Sequence, residues 1–265
     1  MARRIFAIVN QKGGVGKTTT AVNLAACFAA SERRTLLIDL DPQGNASSAY
    51  GLSDPSPQIY DALIGACPLK DVLAPTELEH LKIAPSGRDL VGAEIELVTV
   101  PEREHRLAQA LAPLREEFEL VLIDCPPSLG LLTLNALTAA SGVLIPLQCE
   151  YYALEGLARL LETIELVRRG LNPELALEGI ALTMVDSRNS LSHQVMREVR
   201  AHFAERVYAT GIPRNVRLSE APSHGKPILL YDIHSKGAVS YLRLAEEILR
   251  RVGPATPICD EPHVD

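Results

Sequence analysis

Short apolar runs recur along the chain, and each is followed by a stretch with helical character. The runs are continuous rather than alternating, which is typical of strands buried on both faces of a parallel sheet. The pattern predicts five such strands, at Ile5–Val9, Thr35–Ile38, Leu120–Ile123, Val143–Leu147 and Ile180–Met184.

The segments between these strands predict helices of two kinds. Thr18–Ala30 is apolar nearly all round, which predicts a buried helix. Four other segments have the periodicity of amphipathic helices, namely Glu102–Glu116, Ala153–Arg169, Ser192–Glu205 and Ala238–Val252. Ser53–Pro85 is rich in proline and predicts an irregular flank. This alternation predicts an α/β fold, a single doubly wound and mainly parallel sheet flanked by helices, over residues 1–252, with a disordered tail at 253–265.

Composition narrows the class of protein. The 265 residues are 47% hydrophobic and 22% charged, which is typical of a globular chain. The five cysteines lie far apart and form no C-x-x-C motif, so the sequence does not predict a disulfide framework, a zinc site or an iron–sulfur cluster. No apolar run reaches the roughly 18–20 residues of a membrane-spanning helix. We therefore expect a cytoplasmic protein that does not use the membrane.

The charge is unevenly spread along the chain. The formal net charge is −7, yet residues 186–251 hold 11 basic and 7 acidic side chains. An acidic chain can contact nucleic acid only through a local basic patch, and this region supplies one. The absence of tryptophan and the presence of only 4 phenylalanines argue against binding by base stacking.

The strongest chemical signal is the segment NQKGGVGKTT at residues 10–19, which follows a predicted strand and opens a predicted helix. Glycines let backbone N–H groups surround phosphate oxygens, and the helix N-terminus favours negative charge. Lys17 would reach the β- and γ-phosphates of a nucleotide, and the Thr18 hydroxyl would help to hold Mg²⁺. The predicted nucleotide-binding residues are Lys12, Gly13, Gly14, Val15, Gly16, Lys17, Thr18 and Thr19.

This loop departs from the common G-x-x-x-x-G-K-[ST] pattern, because Gln11 stands where the first glycine is expected. The K-G-G-V-G-K-T sequence instead resembles the deviant Walker A motif of the ParA/MinD family of P-loop ATPases. In that family the early lysine, here Lys12, reaches across a nucleotide-sandwich dimer to the partner's ATP. The resemblance thus implies ATP as the ligand, an ATP-dependent homodimer and a catalytic role for Lys12 as well as Lys17.

Carboxylates are predicted at the ends of two strands. The run LVLID closes with Asp124, as a Walker B strand does, and Asp124 would hold Mg²⁺. The run LIDLDPQG supplies two more carboxylates, of which Asp41 would orient the attacking water and Asp39 would support the lysines. Carboxyl ends of parallel strands share one edge of the sheet, so these groups should lie near the loop.

The resemblance extends over about residues 3–250 and is closest to the ParA/Soj branch of the family. It rests on DLDPQGN (39–45), DCPPS (124–128), EYYALEG (150–156) and IPRNVRLSEAPSHGKP (212–227), which occur in family order. It implies an ATPase that acts in DNA segregation, with a slow basal rate that a ParB-type centromere-binding protein stimulates. It also implies non-specific binding of double-stranded DNA, and hence association with the nucleoid.

The resemblance assigns further site residues. Pro213 and Asn215 match positions that border the adenine, and Arg188 and Arg217 match positions implicated in DNA binding. Charge alone adds Arg214 and Lys226 as DNA-binding candidates.

Two alternatives remain open from the sequence. One is a MinD-like ATPase that cycles on a membrane, although residues after Val252 show no amphipathic basic helix. The other is an enzyme that uses ATP to activate a carboxylate, as dethiobiotin synthetase does on a related fold. Thermal unfolding of the ATP-bound protein would separate this enzyme from a DNA-segregation ATPase: a small acid would protect the enzyme, and DNA would protect the segregation protein.

Overall fold

The structure is a computed structural model that describes residues 4–150, 153–186 and 188–253. Residues 254–265 of the predicted tail lie outside the described residues. So do Tyr151 and Tyr152 of the EYYALEG block, and Ser187.

The centre of the fold is a sheet of seven strands in the order β3-β4-β2-β5-β1-β6-β7. All neighbouring pairs are parallel except β3 and β4. The strands are β1 (Arg4–Ile8), β2 (Thr35–Asp39), β3 (Ala74–Pro75), β4 (Leu81–Ala84), β5 (Leu120–Asp124), β6 (Gly142–Gln148) and β7 (Ala176–Thr183). The predicted fold class is confirmed: this is a mainly parallel α/β sheet of the P-loop NTPase type.

Helices cover both faces of the sheet. Those described are α1 (Lys17–Ala30), α2 (Asn45–Ser48), α3 (Ile59–Ile64), α4 (Leu69–Val72), α5 (Leu90–Glu96), α6 (Arg106–Leu111), α7 (Leu131–Ala139), α8 (Ala153–Gly170), α9 (Ser190–Phe203), α10 (Val216–Glu220), α11 (Ile228–Tyr231) and α12 (Lys236–Val252). One core joins the sheet to α1, α11 and α12, and a second core joins its other face to α6, α7 and α8.

The central strand β1 shows why the apolar runs are continuous. Ile5 and Ala7 point into one core, whereas Phe6 and Ile8 point into the other. Successive side chains of a strand alternate between faces, so a strand covered on both sides needs apolar residues at every position. The same reasoning holds for β5, whose five residues are all buried.

The predicted strands are confirmed, and only β7 begins markedly earlier than the sequence indicates. The continuous helix predicted over 102–116 is wrong. Glu102 has a left-handed backbone (φ +52°), and α6 is flanked by 3₁₀ turns at Arg103–His105 and Ala112–Leu114, the second of which contains Pro113. Proline lacks the N–H that an α-helix needs, which explains the break.

The predicted irregular flank over 53–85 is also more ordered than expected. It contains α3, α4, β3 and β4, and β4 extends the sheet by pairing in parallel with β2. No helix in the described part of the chain has the length and apolar character needed to cross a bilayer.

The topology places a crevice at the carboxyl edge of the sheet. The connection that leaves β1 leads to β2 on one side, whereas the connection that leaves β6 leads to β7 on the other. Ligands of open α/β sheets bind where such connections diverge. The loop at residues 10–16 and the carboxylates at the ends of β2 and β5 meet at this edge.

Candidate nucleotide site

The glycine-rich loop connects the end of β1 to the start of α1. Gly16 precedes the first helical residue with a left-handed backbone (φ +88°), a conformation that residues with a Cβ rarely adopt. The carbonyl of the buried Val15 accepts a hydrogen bond from the Thr183 hydroxyl at 2.8 Å. The end of β7 therefore fixes the loop in front of the helix N-terminus.

Asn10 fixes the other end of the loop. Its side-chain amide donates to the carbonyl of Pro146 in β6 at 2.8 Å, and its Oδ1 accepts from the Lys12 N–H at 3.0 Å. The loop is thus hydrogen-bonded to β6 near its start and to β7 near its end. Such preorganisation suits the binding of a phosphate chain by backbone N–H groups.

Lys17 lies at the first position of α1 and is only 7% exposed. Its Nζ donates to the carbonyl of Lys12 at 3.2 Å, which uses one of its three donors. Burial lowers the pKa of Lys17, and the carboxylates of Asp124 and Asp41 oppose that shift. A cation held among these groups can donate its other hydrogens to a phosphate in the crevice.

Asp124 ends β5 beside Ile8 of β1 and Asp39 of β2. Both of its carboxylate oxygens are buried without a hydrogen-bond partner among the described residues. Burial and the charge of Asp39 raise the pKa of Asp124 well above its usual range. The Thr18 hydroxyl lies beside this carboxylate and opposes the rise, without reaching hydrogen-bond geometry.

These observations test whether the residues fit a magnesium ion. A buried carboxylate without a partner is costly unless a cation or a hydrogen bond compensates it. Carboxylate and hydroxyl oxygens are ligands that Mg²⁺ prefers. Asp124 and Thr18 therefore fit the ion that the sequence predicts.

Asp39 and Asp41 have different surroundings. Asp41 is almost fully buried, and its Oδ1 accepts from the Gln43 N–H at 3.0 Å. Asp39 is completely buried and accepts hydrogen bonds from Ser47 and from the Asp41 N–H. Burial raises the pKa of Asp39 to about 6. Its hydrogen bonds go to this turn rather than to a lysine, so support of the lysines by Asp39 stays a prediction.

The adenine residues implied by the family resemblance lie next to the loop. Pro213 and Asn215 line a cavity of about 310 Å³ whose wall also includes Gly16 and Thr19. Asn215 caps α10 by accepting from the Leu218 N–H at 3.3 Å. The structure thus places the two predicted base contacts in the wall of a cavity that the end of the phosphate loop also lines.

Lys12 differs from Lys17 in its exposure. Its side chain is 54% exposed, and its ammonium group forms an ion pair with Glu150, in the connection between β6 and α8. Gly13 and Gly14 beside it are exposed. Lys12 therefore lies at the surface of the loop, paired with its own chain.

Two of the predicted DNA-binding arginines gather around one acidic residue. The Arg188 side chain is 88% exposed and donates to both carboxylate oxygens of Asp186 at 3.1 Å. This pairing lowers the pKa of Asp186 to about 2, and the exposed Arg214 contributes to the same shift. Arg188 and Arg214 thus form one basic surface beyond β7.

The other two candidates lie elsewhere. Arg217, in α10, pairs with Glu220 at 2.9 Å and with Asp232 at 3.5 Å. Lys226 lies 3.6 Å from Glu77, which is next to β3 at the opposite edge of the sheet. The structure does not gather all four cations into one cluster.

Sequence reasoning missed several residues that shape this site. Thr183 holds the loop, Glu150 pairs with Lys12, and Ser47 and Ser86 surround the Asp41 turn. The EYYALEG block contains Glu150, but the block gave it no role. The other three carry no local motif, because their partners lie 8 to 168 residues away in sequence.

The comparisons with known proteins agree with this geometry. A family model described as an AAA domain matches residues 3–177. The chain is 59% identical to the chromosome partitioning protein ParA of Myxococcus xanthus, over 96% of this chain and 90% of that protein. It is 55% identical to the sporulation initiation inhibitor protein Soj of Bacillus subtilis, over 92% and 98% of the two chains.

A solved structure is similar over nearly the whole chain. It is that of cobyrinic acid a,c-diamide synthase from Mycobacterium smegmatis with a bound ATP analogue and magnesium. The identity is 39% and the TM-score 0.83, over 95% of this chain and 96% of that chain. The glycine loop, the buried lysine, the strand-end carboxylates and the identity to two partitioning proteins all lead to one assignment. The chain belongs to the ParA/Soj family of chromosome-partitioning P-loop ATPases.

Proposed function

We propose that this protein is a DNA-segregation ATPase whose ATP-bound form is a sandwich dimer that binds DNA without sequence preference. Hydrolysis, stimulated by a ParB-type centromere-binding protein, ends the DNA-bound state. The observation that carries the proposal is the meeting of a buried lysine, Lys17, with two strand-end carboxylates, Asp41 and Asp124, beside the glycine loop.

Each part of the site supports one step of nucleotide binding. The cavity at Pro213 and Asn215 accommodates the base, and the helix N-terminus after Gly16 receives the phosphates. Lys17 supplies a desolvated cation to the β- and γ-phosphates. Asp124 and Thr18 would hold Mg²⁺, which neutralises charge on the phosphates when it is bound.

Hydrolysis then needs a group that orients water towards the γ-phosphate. Asp41 is the best candidate, because it lies near Lys17 and its carboxylate forms no ion pair with any residue that the structure describes. A carboxylate close to the triphosphate repels it, which is consistent with slow turnover until a partner orders the site.

Lys12 supports the dimer part of the proposal. One phosphate site needs one buried lysine, yet the loop carries a second lysine that is exposed. A cation that reaches transferring phosphate only in the assembled dimer would act as an arginine finger does. Its side chain must first leave Glu150.

A carboxylate-amidating enzyme is the second candidate, and the name of the M. smegmatis relative favours it. The identity to the two partitioning proteins is higher, at 59% and 55%. The two functions differ in their second ligand. Protection of the ATP-bound protein from thermal unfolding by duplex DNA would support segregation, whereas protection by cobyrinic acid alone would support amidation.

The proposal is tested by measuring molar mass by light scattering with ATP, with ADP and without nucleotide. We expect a dimer only with ATP. Lys17→Ala should lose nucleotide binding, whereas Lys12→Ala should bind ATP and stay monomeric. Lys70→Ala, which removes an exposed lysine of α4, is the matched control and should dimerise normally. An ATP-bound Lys12→Ala dimer of normal affinity would exclude the cross-dimer role.

A further inference from the structure

The main chain of Asp41 is hydrogen-bonded by buried side chains at both its N–H and its carbonyl. Its N–H donates to Asp39 Oδ1 at 3.2 Å, and its carbonyl accepts from the Ser86 hydroxyl at 2.9 Å. Ser86 follows β4, so it reaches Asp41 from 45 residues away in sequence. The main chain at Asp41 is therefore fixed by groups outside its own turn.

Ser47 links the two residues that hold Asp41, through the side chain of Asp39 and the main chain of Ser86. Its hydroxyl donates to Asp39 Oδ2 at 2.7 Å and accepts from the Ser86 N–H at 2.8 Å. Its own N–H donates to the same carboxylate oxygen at 2.8 Å. The hydrogen bonds close a ring that runs through Asp41, Asp39, Ser47 and Ser86.

The ring is buried and closely packed. Asp39, Ser47 and Ser86 are each at most 2% exposed. Gly44 has a left-handed backbone (φ +62°), and a Cβ at this position would lie 3.1 Å from the Ser86 carbonyl oxygen. The turn can thus approach Ser86 only because residue 44 is a glycine.

The ring controls the direction of the Asp41 side chain indirectly. The Asp41 carboxylate accepts from the Gln43 N–H, within the same turn. Its position relative to the nucleotide therefore follows the position of the main chain at residues 41–43. That main chain is set by Asp39 on one side and by Ser86 on the other.

We propose that Ser47 and Ser86 are positioning residues for hydrolysis, which hold Asp41 at the distance from the γ-phosphate that the attacking water requires. This inference rests on the proposed role of Asp41. It predicts that Ser47 and Ser86 affect only the chemical step and not the binding of ATP. Loss of the ring would loosen Asp41 while the glycine loop, Lys17 and the base cavity stay unchanged.

The experiment compares Ser86→Ala and Ser47→Ala with wild type in two measurements: turnover, as phosphate release at saturating ATP and Mg²⁺, and affinity, by titration with a fluorescent ATP analogue. Misplacement of a catalytic group by about 1 Å can lower a rate by about 100-fold, so we expect turnover to fall about 10- to 100-fold. Affinity should stay within about twofold of wild type, because the ring does not include the residues that bind the nucleotide. Ser48→Ala is the matched control, since Ser48 is the exposed neighbour of Ser47.

Ser86→Ala removes one hydrogen bond and keeps the Ser86 N–H bond to Ser47, and retained ATP affinity shows that the variant is folded. Adding Ser86→Ala to Asp41→Ala should lower turnover no further, because the ring acts only through Asp41. Normal turnover in both serine variants would overturn the inference and leave the proposed function intact. An equal fall in turnover and affinity would also overturn it. Normal turnover in Asp41→Ala would instead show that the proposed role of Asp41 is wrong.

Discussion

Asp124 is a carboxylate that the fold buries before any cation is bound. Neither oxygen has a hydrogen-bond partner among the described residues, and its neighbour across the strands is another buried acid, Asp39. A buried carboxylate without a partner lowers the free energy of unfolding unless a cation or a hydrogen bond compensates it. The destabilisation caused by burying Asp124 should therefore be measurable in unfolding experiments.

The variant Asp124→Asn tests this cost. The raised pKa of Asp124 means that the native state binds its proton more tightly than the unfolded state. The contribution of Asp124 to stability should then fall as pH rises from the unfolded pKa of about 4 towards the raised native pKa, by up to about 1.4 kcal/mol per pH unit. Asparagine does not titrate, so in thermal unfolding without nucleotide the melting temperature of Asp124→Asn should rise relative to that of wild type as pH increases above about 4. Asp71→Asn, at an exposed position, should show no such trend. A pH-independent difference for Asp124→Asn would contradict the interpretation.

At the scale of elements, the site depends on strands that hold the loop from a distance. The end of β7 is hydrogen-bonded to the loop through Thr183 and Val15, and β6 is bonded to it through Pro146 and Asn10. The loop thus keeps its shape because elements far along the chain hold it.

Replacing Thr183 with valine should weaken ATP binding. The change keeps the shape of the side chain and leaves the buried carbonyl of Val15 without its 2.8 Å partner. A hydrogen bond of this kind contributes about 1 kcal/mol, so we expect ATP affinity to fall about three- to tenfold in calorimetric titration. Thr138→Val is the control, because the buried Thr138 hydroxyl has no partner in the described chain. Equal affinities for both variants would argue against a role for β7 in the loop.

The same scale shows what sequence can and cannot predict. Strands such as β1 and β5 are predictable because burial on both faces requires continuous apolar runs. Helix α7 was not predicted, since it is short, is apolar on nearly every side and, unlike α1, does not follow a glycine-loop motif that marks its start. The residues of the glycine loop are consecutive in the sequence, so the motif can be recognised there. Ser86 was not found, because only the folded sheet brings it to Asp41, 45 residues away.

At the scale of the whole molecule, the proposed DNA binding would have to overcome the net charge of −7. Three of the four candidate cations are paired with an acid of their own chain: Arg188 with Asp186, Arg217 with Glu220, and Lys226 with Glu77. A monomer therefore offers few free charges to phosphate. A dimer doubles them, which is why we expect binding that requires ATP and falls steeply with salt.

Variants that change the charge at the candidate cations and at Asp186 test the proposed DNA binding. Arg217→Glu should abolish DNA binding and leave ATP-dependent dimerisation intact, whereas Asp186→Asn should raise affinity severalfold by freeing Arg188 and Arg214. Asp71→Asn makes the same charge change at a distant site and should have little effect. Each lost phosphate contact should lower the slope of log affinity against log salt by about 0.9 in fluorescence anisotropy titrations. Equal DNA affinity with ADP and with ATP would contradict the proposal that DNA binding requires the ATP-bound dimer.

In the proposed dimer, the pair between Lys12 and Glu150 would make assembly depend on the concentration of chains in which this ion pair is broken. An exposed ion pair of this kind is worth about 0.2–1 kcal/mol, so up to about five chains in six hold their lysine back at any moment. A symmetric dimer needs both lysines, and the two penalties multiply. The pair would thereby raise the threshold concentration for dimers by up to about 40-fold. Glu150→Gln should lower that threshold in ATP-dependent light scattering. Glu155→Gln removes an exposed acid that pairs with Arg159 in the first turns of α8, and it should leave the threshold unchanged.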